Sequence, residues 1–181
     1  MMTSMALHDA VCDFLEANVA AKFKLPAKLA NGKDKTEPKE QTLMQPVVRR
    51  NGALTPKSIS GKDEDEIAFI LPWLQRVENI SGERESVATV AILFGVLAGI
   101  EYDGDGMKVD DGGGYRDLWN IIETTRLALF TAQTIDERFM LVSDFFEAEI
   151  LPEPIYPYWE GFCRTRWHIA YPLPPLGEKF F

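Results

Sequence analysis

The sequence predicts an α+β domain: a mostly antiparallel β-sheet with an N-terminal helix and a second helix packed on the sheet. Three observations lead there. Residues 110–130, DDGGGYRDLWNIIETTRLALF, place an acidic, glycine-rich loop ahead of one long amphipathic segment. Several stretches alternate in hydrophobicity with the period of two that marks a strand. Those stretches lie just before or just after the amphipathic segment, so a sheet built from them can pack on it.

In the amphipathic segment Leu118, Trp119, Ile122, Leu129 and Phe130 fall near the i, i+4, i+7, i+11 spacing of a single apolar face. Asp117 is expected in the first turn, where a carboxylate suits the helix N-terminus, with Arg126 nearer the other end.

Residues 1–26 are read as the N-terminal helix. Thr3 or Ser4 caps it, Leu7, Val11, Phe14 and Leu15 form its stripe, and Pro26 stops it after about Lys24. Residues 27–45 are polar, rich in lysine and broken by Asn31-Gly32 and Pro38, which predicts a long exposed arm. The rest of the same single domain, 46–171, is the sheet-and-helix body, and 172–181 is an extended tail.

The body opens with a short strand in PVVRRNGAL. The strongest strand signals follow: 69–78 and 87–96 flank ISGERES as a hairpin. On the second of these Val90, Ile92, Phe94 and Val96 share one face, while Ala91, Leu93 and Gly95 share the other. Apolar residues on both faces suit a central strand. Pro72 cannot donate to a ladder and marks a strand start or an edge. In 138–150, Met140, Val142, Phe146 and Ile150 are expected on the inner face. In 159–171, Trp159, Cys163, Trp167, Ile169 and Tyr171 face one way, and Phe162, Arg164, Arg166 and His168 the other.

With 46% hydrophobic and 26% charged residues, the composition is that of a globular chain. The net charge of -9 is uneven: residues 22–50 hold eight Lys/Arg against three Asp/Glu, leaving eleven against twenty-five elsewhere. So acidic a body repels a phosphate backbone, which argues against specific nucleic-acid binding. Cys12 and Cys163 lack metal or redox spacing and read as free intracellular thiols. No signal peptide is recognisable, and the apolar run 87–100 is too short to span a bilayer, so no membrane partner is expected.

Candidate chemistry is sparse. Asp103, Asp105, Asp110 and Asp111 invite a calcium reading. An EF-hand beginning at Asp103 would need an oxygen ligand, glycine and glutamate where Met107, Lys108 and Gly114 stand. A solvated acidic hairpin loop fits better. The three glycines 112–114 lack the Gly-Lys-Ser/Thr of a phosphate loop. Cys163 and His168 point to opposite faces of their strand, and His8 and Cys12, four apart on a helix, lack an evident third group. The expectation is a chain without enzymatic activity, metal or cofactor.

GYRDLWNIIETTRLAL and YPYWEGFCRTRWHIAYP, with PVVRRNGALTPKS and VATVAILFGV, resemble a pattern found in tail-terminator or tail-completion proteins of bacteriophages and prophages of Gram-positive bacteria. The similarity covers residues 46–172 and is carried by a Gly-Tyr-Arg-Asp helix start and a Tyr-Pro-Tyr-Trp strand entry. It implies a virion protein assembled in the host cytoplasm as a homo-oligomer, expected to be a hexameric ring. That ring would sit at the head-proximal end of the tail tube, touching the tube protein on one side and a head-completion or neck protein on the other, with DNA passing through unbound. Ring closure needs two different edges per subunit. The arm and tail are the segments that fit a compact monomer least, which makes Lys33, Lys35, Lys39, Phe180 and Phe181 the candidate assembly contacts. Two alternatives stand beside this reading: another head–tail joining or tube protein of similar fold, and a small cytosolic hydrolase or ligand-binding domain. The last would need a concave pocket with convergent polar groups.

Overall fold

The computed structural model describes residues 4–27, 42–50, 67–79, 85–97, 100–102, 108–110, 113–152 and 158–170. Helix α1 (Ser4–Asn18) leads into a 3-10 turn (Ala20–Lys22) and strands β1 (Leu25–Ala27), β2 (Thr42–Met44) and β3 (Val47–Val48). Then come β4 (Phe69–Asn79), β5 (Glu85–Leu97), β6 (Ile100–Tyr102) and β7 (Lys108–Asp110). Helix α2 (Gly113–Ala132) is followed by β8 (Thr134–Ile135), β9 (Phe139–Ile150) and β10 (Tyr158–Ala170). The fold is α+β. Its main sheet runs β3-β4-β5-β10-β9-β8, antiparallel throughout except for the β3–β4 pair.

Helix α1 ends earlier than the sequence suggests, at Asn18 rather than near Lys24. Its last carbonyls are satisfied by Val19 N (to Leu15 O, 3.0 Å) and by the Asn18 side chain (to Phe14 O, 3.0 Å). The chain then tightens into the 3-10 turn. Pro26 therefore lies inside β1 and plays no part in stopping the helix. The arm differs as well: its two ends pair, Leu25 with Met44 and Ala27 with Thr42, so 27–45 is rooted in a two-stranded ladder. Lys33, Lys35 and Lys39 lie outside the described residues.

On α2 the buried residues are Leu118, Ile121, Ile122, Thr125 and Leu129. At about 100° per residue these cluster on one side, while Trp119 and Phe130 fall on its flank. Trp119, expected on the apolar face, is accordingly 38% exposed, and Ile121, which the sequence reading left out, is buried. The helix begins at Gly113, which moves Asp117 out of the first turn. Gln133, at φ 55°, closes the helix in the left-handed region, its N–H bonding to Leu129 O at 2.8 Å.

The β4–β5 hairpin and the central place of β5 are as the sequence predicts. Val90, Ile92, Phe94 and Val96 are all fully buried, and they oppose Thr165, Cys163, Gly161 and Trp159 across the β5–β10 ladder. Leu7, Val11 and Leu15 of α1 and Leu118, Ile122 and Leu129 of α2 join those residues in one cluster. Both helices thus lie on the same face of the sheet. Each fully buried aliphatic side chain there contributes roughly 1.5–3 kcal/mol.

On the opposite face Phe69 is an exception to exposure. It sits across from Gly95, and a Cβ on that glycine would lie 2.1 Å from the ring. The aromatic ring fills the space the glycine leaves, and the Arg49 guanidinium covers it at 5.2 Å.

Strand β9 departs from simple alternation. Between the pairs Thr165↔Phe146 and Trp167↔Leu141, β10 advances two residues while β9 advances five. An odd number of residues reverses which parity faces inward. Phe139 and Leu141 are buried at one end, and Phe146, Ala148 and Ile150 pack on the core at the other. Met140, expected inside, is 52% exposed, and Val142 is half-buried outside the core cluster. Strand β10 keeps the predicted faces over the described residues: Cys163, Trp167 and Ile169 are buried and Arg166 is exposed.

Candidate functional site

The corner where α1 meets β3 and the β8–β9 turn gathers charged groups from three chain segments. Arg50 donates to Asp13 Oδ1 at 2.5 Å and to Glu16 Oε2 at 2.9 Å, tying α1 to the chain that leaves β3. On the other side of α1, Arg138 pairs with Asp136. Between them runs an open groove of about 500 Å³, lined by Ala6, Asp9, Ala10, Asp13 and Phe14 from α1 and by Ile135, Asp136 and Arg138. The turn itself carries Asp136 at φ 51° and Glu137 at φ 53°, with Arg138 N returning to Ile135 O at 3.2 Å. Two successive left-handed residues are the geometry of a tight hairpin turn, in which glycine or asparagine is the usual choice.

His8 and Cys12 lie one turn apart on α1, on the side of the helix that meets β4. The buried His8 approaches Pro72 O through Nε2 at 3.2 Å, so Nε2 carries the proton and donates. Its Nδ1 is 3.5 Å from Asp9 Oδ1, and Cys12 Sγ lies 3.9–4.0 Å from the ring nitrogens. Asp9 therefore supplies a carboxylate that helical spacing alone did not single out. The trio still makes a poor nucleophilic site. Cys12 is fully buried, and burial pushes its thiol up to about 11, with Arg50 pulling only partly the other way. The positioning role is clearer: His8 caps a backbone carbonyl in β4, the strand that contains Pro72.

Cys163 is also buried and free, and burial raises its thiol far above the ordinary range. Cys163 and His168 lie on opposite faces of β10, as the sequence predicts. Of the acidic-loop residues, Asp110 is placed by its backbone in β7, paired with Ile100 of β6. Asp103, Asp105 and Asp111 lie outside the described residues, as do Phe180 and Phe181. Among the described residues, no cluster of three or more His, Cys, Asp or Glu is placed to hold a metal ion, and no helix is long and apolar enough to cross a membrane.

The two motifs that carry the resemblance meet in space. Tyr115, from the helix start, packs edge-on against Trp159, from the strand entry, with ring centroids 5.6 Å apart. On the face away from the helices, Leu71 and Trp73 of β4 stand beside Leu93 and Ala91 of β5 and Phe162 and Arg164 of β10. Trp73 is 66% exposed there. Arg164 stacks over Phe162 at 4.7 Å and reaches Glu147 at 3.4 Å, while Arg166 stacks over Phe145 at 4.1 Å. No protein-family model and no curated protein matches this chain.

Proposed function

We propose that this chain is a structural virion protein, a tail terminator that forms a ring at the head-proximal end of the tail tube. It ends tube polymerisation there and offers the surface to which the head is joined. The observation that supports an assembly role is the sheet face opposite the helices. It presents Leu71, Trp73, Leu93 and Phe162 side by side, with a tryptophan two-thirds exposed at 66%. Contiguous apolar surface of this kind marks contact with another macromolecule. The meeting of Tyr115 with Trp159 further supports reading the two resemblance motifs as parts of one fold.

A ligand-binding reading rests on the groove beside α1, whose volume suits a small molecule. Its charged groups are largely committed to one another, Asp13 to Arg50 and Arg138 to Asp136, which favours the structural reading.

The purified chain, weighed in solution and imaged, is expected to form rings and to shorten tubes when added to polymerising tail tube protein. A chain that stays monomeric at high concentration and leaves tube length unchanged overturns the proposal.

A further inference from the structure

Among the described residues, the two long outer strands of the main sheet, β4 and β9, are each paired on their outer edge at one end only. On β4, β3 pairs with Phe69 and Ile70, and His8 caps Pro72 O at 3.2 Å. Beyond that point, over residues 73–78, no described strand lies on the outer edge. On β9, β8 pairs with Phe139 and Met140, and Leu141 N bonds to Gln133 O at 2.7 Å. Over residues 142–150 the outer edge again has no described strand.

We propose that β9 of one copy pairs antiparallel with β4 of the next, so that the main sheet continues from subunit to subunit. A free edge offers a row of backbone donors and acceptors that templates another strand. Strand sense alternates from β4 through β5 and β10 to β9, so β4 and β9 run in opposite senses. A second copy continuing the sheet brings its β9 to β4 in the antiparallel sense. It also brings an edge of comparable length and keeps its helices on the same side of the sheet.

The side chains agree. On β4, Trp73 is 66% and Val77 43% exposed, too apolar for an edge meant to stay in water. Val142 and Phe145 of β9 offer apolar partners. Arg76, whose partner in the subunit is Glu78 at 2.6 Å, faces a strand carrying Asp144, Glu147 and Glu149. Because the two edges differ, the interface is heterologous and closes into a ring when the rotation permits. The inference rests on the ring reading for its biological role, and it names the surfaces that make the ring.

The test uses the full chain. Trp73→Lys with Val77→Lys lesions the β4 edge at exposed positions. Ser143→Pro removes a donor on β9, and Asp144→Lys is the milder β9 variant that keeps the backbone intact. Each lesion is expected to leave melting nearly unchanged and to weaken self-association by roughly thirtyfold or more, as for a lost interface anchor. An equimolar mixture of a β4 variant and a β9 variant keeps one intact edge of each kind and should stop at a heterodimer. Rings that form normally from both Trp73→Lys/Val77→Lys and Asp144→Lys overturn the edge pairing while leaving the ring reading in place. A wild-type chain that never oligomerises overturns both.

Discussion

The indole N–H of Trp167 donates to the hydroxyl of Thr165 at 2.9 Å, and that hydroxyl donates in turn to Val90 O at 3.2 Å. Both side chains are fully buried. This short relay lets the largest buried side chain of the domain bring a polar atom into the core without leaving it unsatisfied. It also links β10 to β5 beside the irregular stretch of β9.

Thr165→Val keeps the shape but strands the indole donor. It is expected to cost about 1–3 kcal/mol in denaturant unfolding, the usual penalty for an unpaired buried donor. Thr165→Ser, which keeps the hydroxyl, should cost clearly less. Equal losses for the two variants would make the relay incidental.

Trp167→Ala is expected to destabilise by about 3–5 kcal/mol. Its neighbour Arg166 points to the other face, stacked on Phe145. Arg166→Ala should cost no more than about 1 kcal/mol, the range of an exposed cation–π contact. Urea titrations of the two variants compare them directly.

Gly95→Ala places a methyl group against the Phe69 ring. A loss of about 1–3 kcal/mol is expected, typical of overpacking. Phe69→Leu should relieve much of it, so a double-mutant cycle will show coupling between the two sites. Purely additive effects would count against the ring-over-glycine packing.

Glu137 holds φ 53° in the β8–β9 turn. Glu137→Gly removes the left-handed strain and should stabilise by roughly 0.5–1 kcal/mol, read as a rise in Tm. The same change at Gln75, an exposed strand residue, should have the opposite sign.

Burial raises the Cys12 thiol from near 9 to about 11, so the folded chain holds that proton more tightly than the unfolded one. The resulting stability is complete below pH 9 and is lost as pH climbs through about 11. Thermal melts from pH 8 to 11 should decline, and Cys12→Ala should flatten part of the decline. At pH 8 neither Cys12 nor Cys163 should react with a maleimide until the protein is unfolded.

The α+β class, the β4–β5 hairpin and the two faces of β10 were legible because alternation and helical spacing are local signals that burial then obeys. Leu118, Ile122 and Leu129 on α2 emerged the same way. The faces of Met140 and Val142 did not, because the reversal of parity in β9 arises from its ladder with β10 and leaves no mark on its own residues. Trp119 was expected inside and Ile121 was not, because Leu118-Trp119 and Ile121-Ile122 are adjacent apolar pairs and spacing alone does not say how much of each pair turns inward. The corner around Arg50, Asp13 and Asp136 joins chain segments that only folding brings together. Of the His8 and Cys12 environment, the four-residue spacing was visible, but the Pro72 carbonyl that orients the imidazole was not.

Strand β10 lies between β5 and β9, yet both of those precede it along the chain. During synthesis the β4–β5 hairpin leaves the ribosome first, then α2 and β9, and the strand that must sit between β5 and β9 comes after them. Until it arrives the nascent sheet exists as two separate pieces, with four edges instead of two. Contacts between β5 and β10 also span a long stretch of sequence, a slow kind of pairing that prolongs this interval. The docking event that buries Trp167 is therefore also the one that removes two adhesive edges.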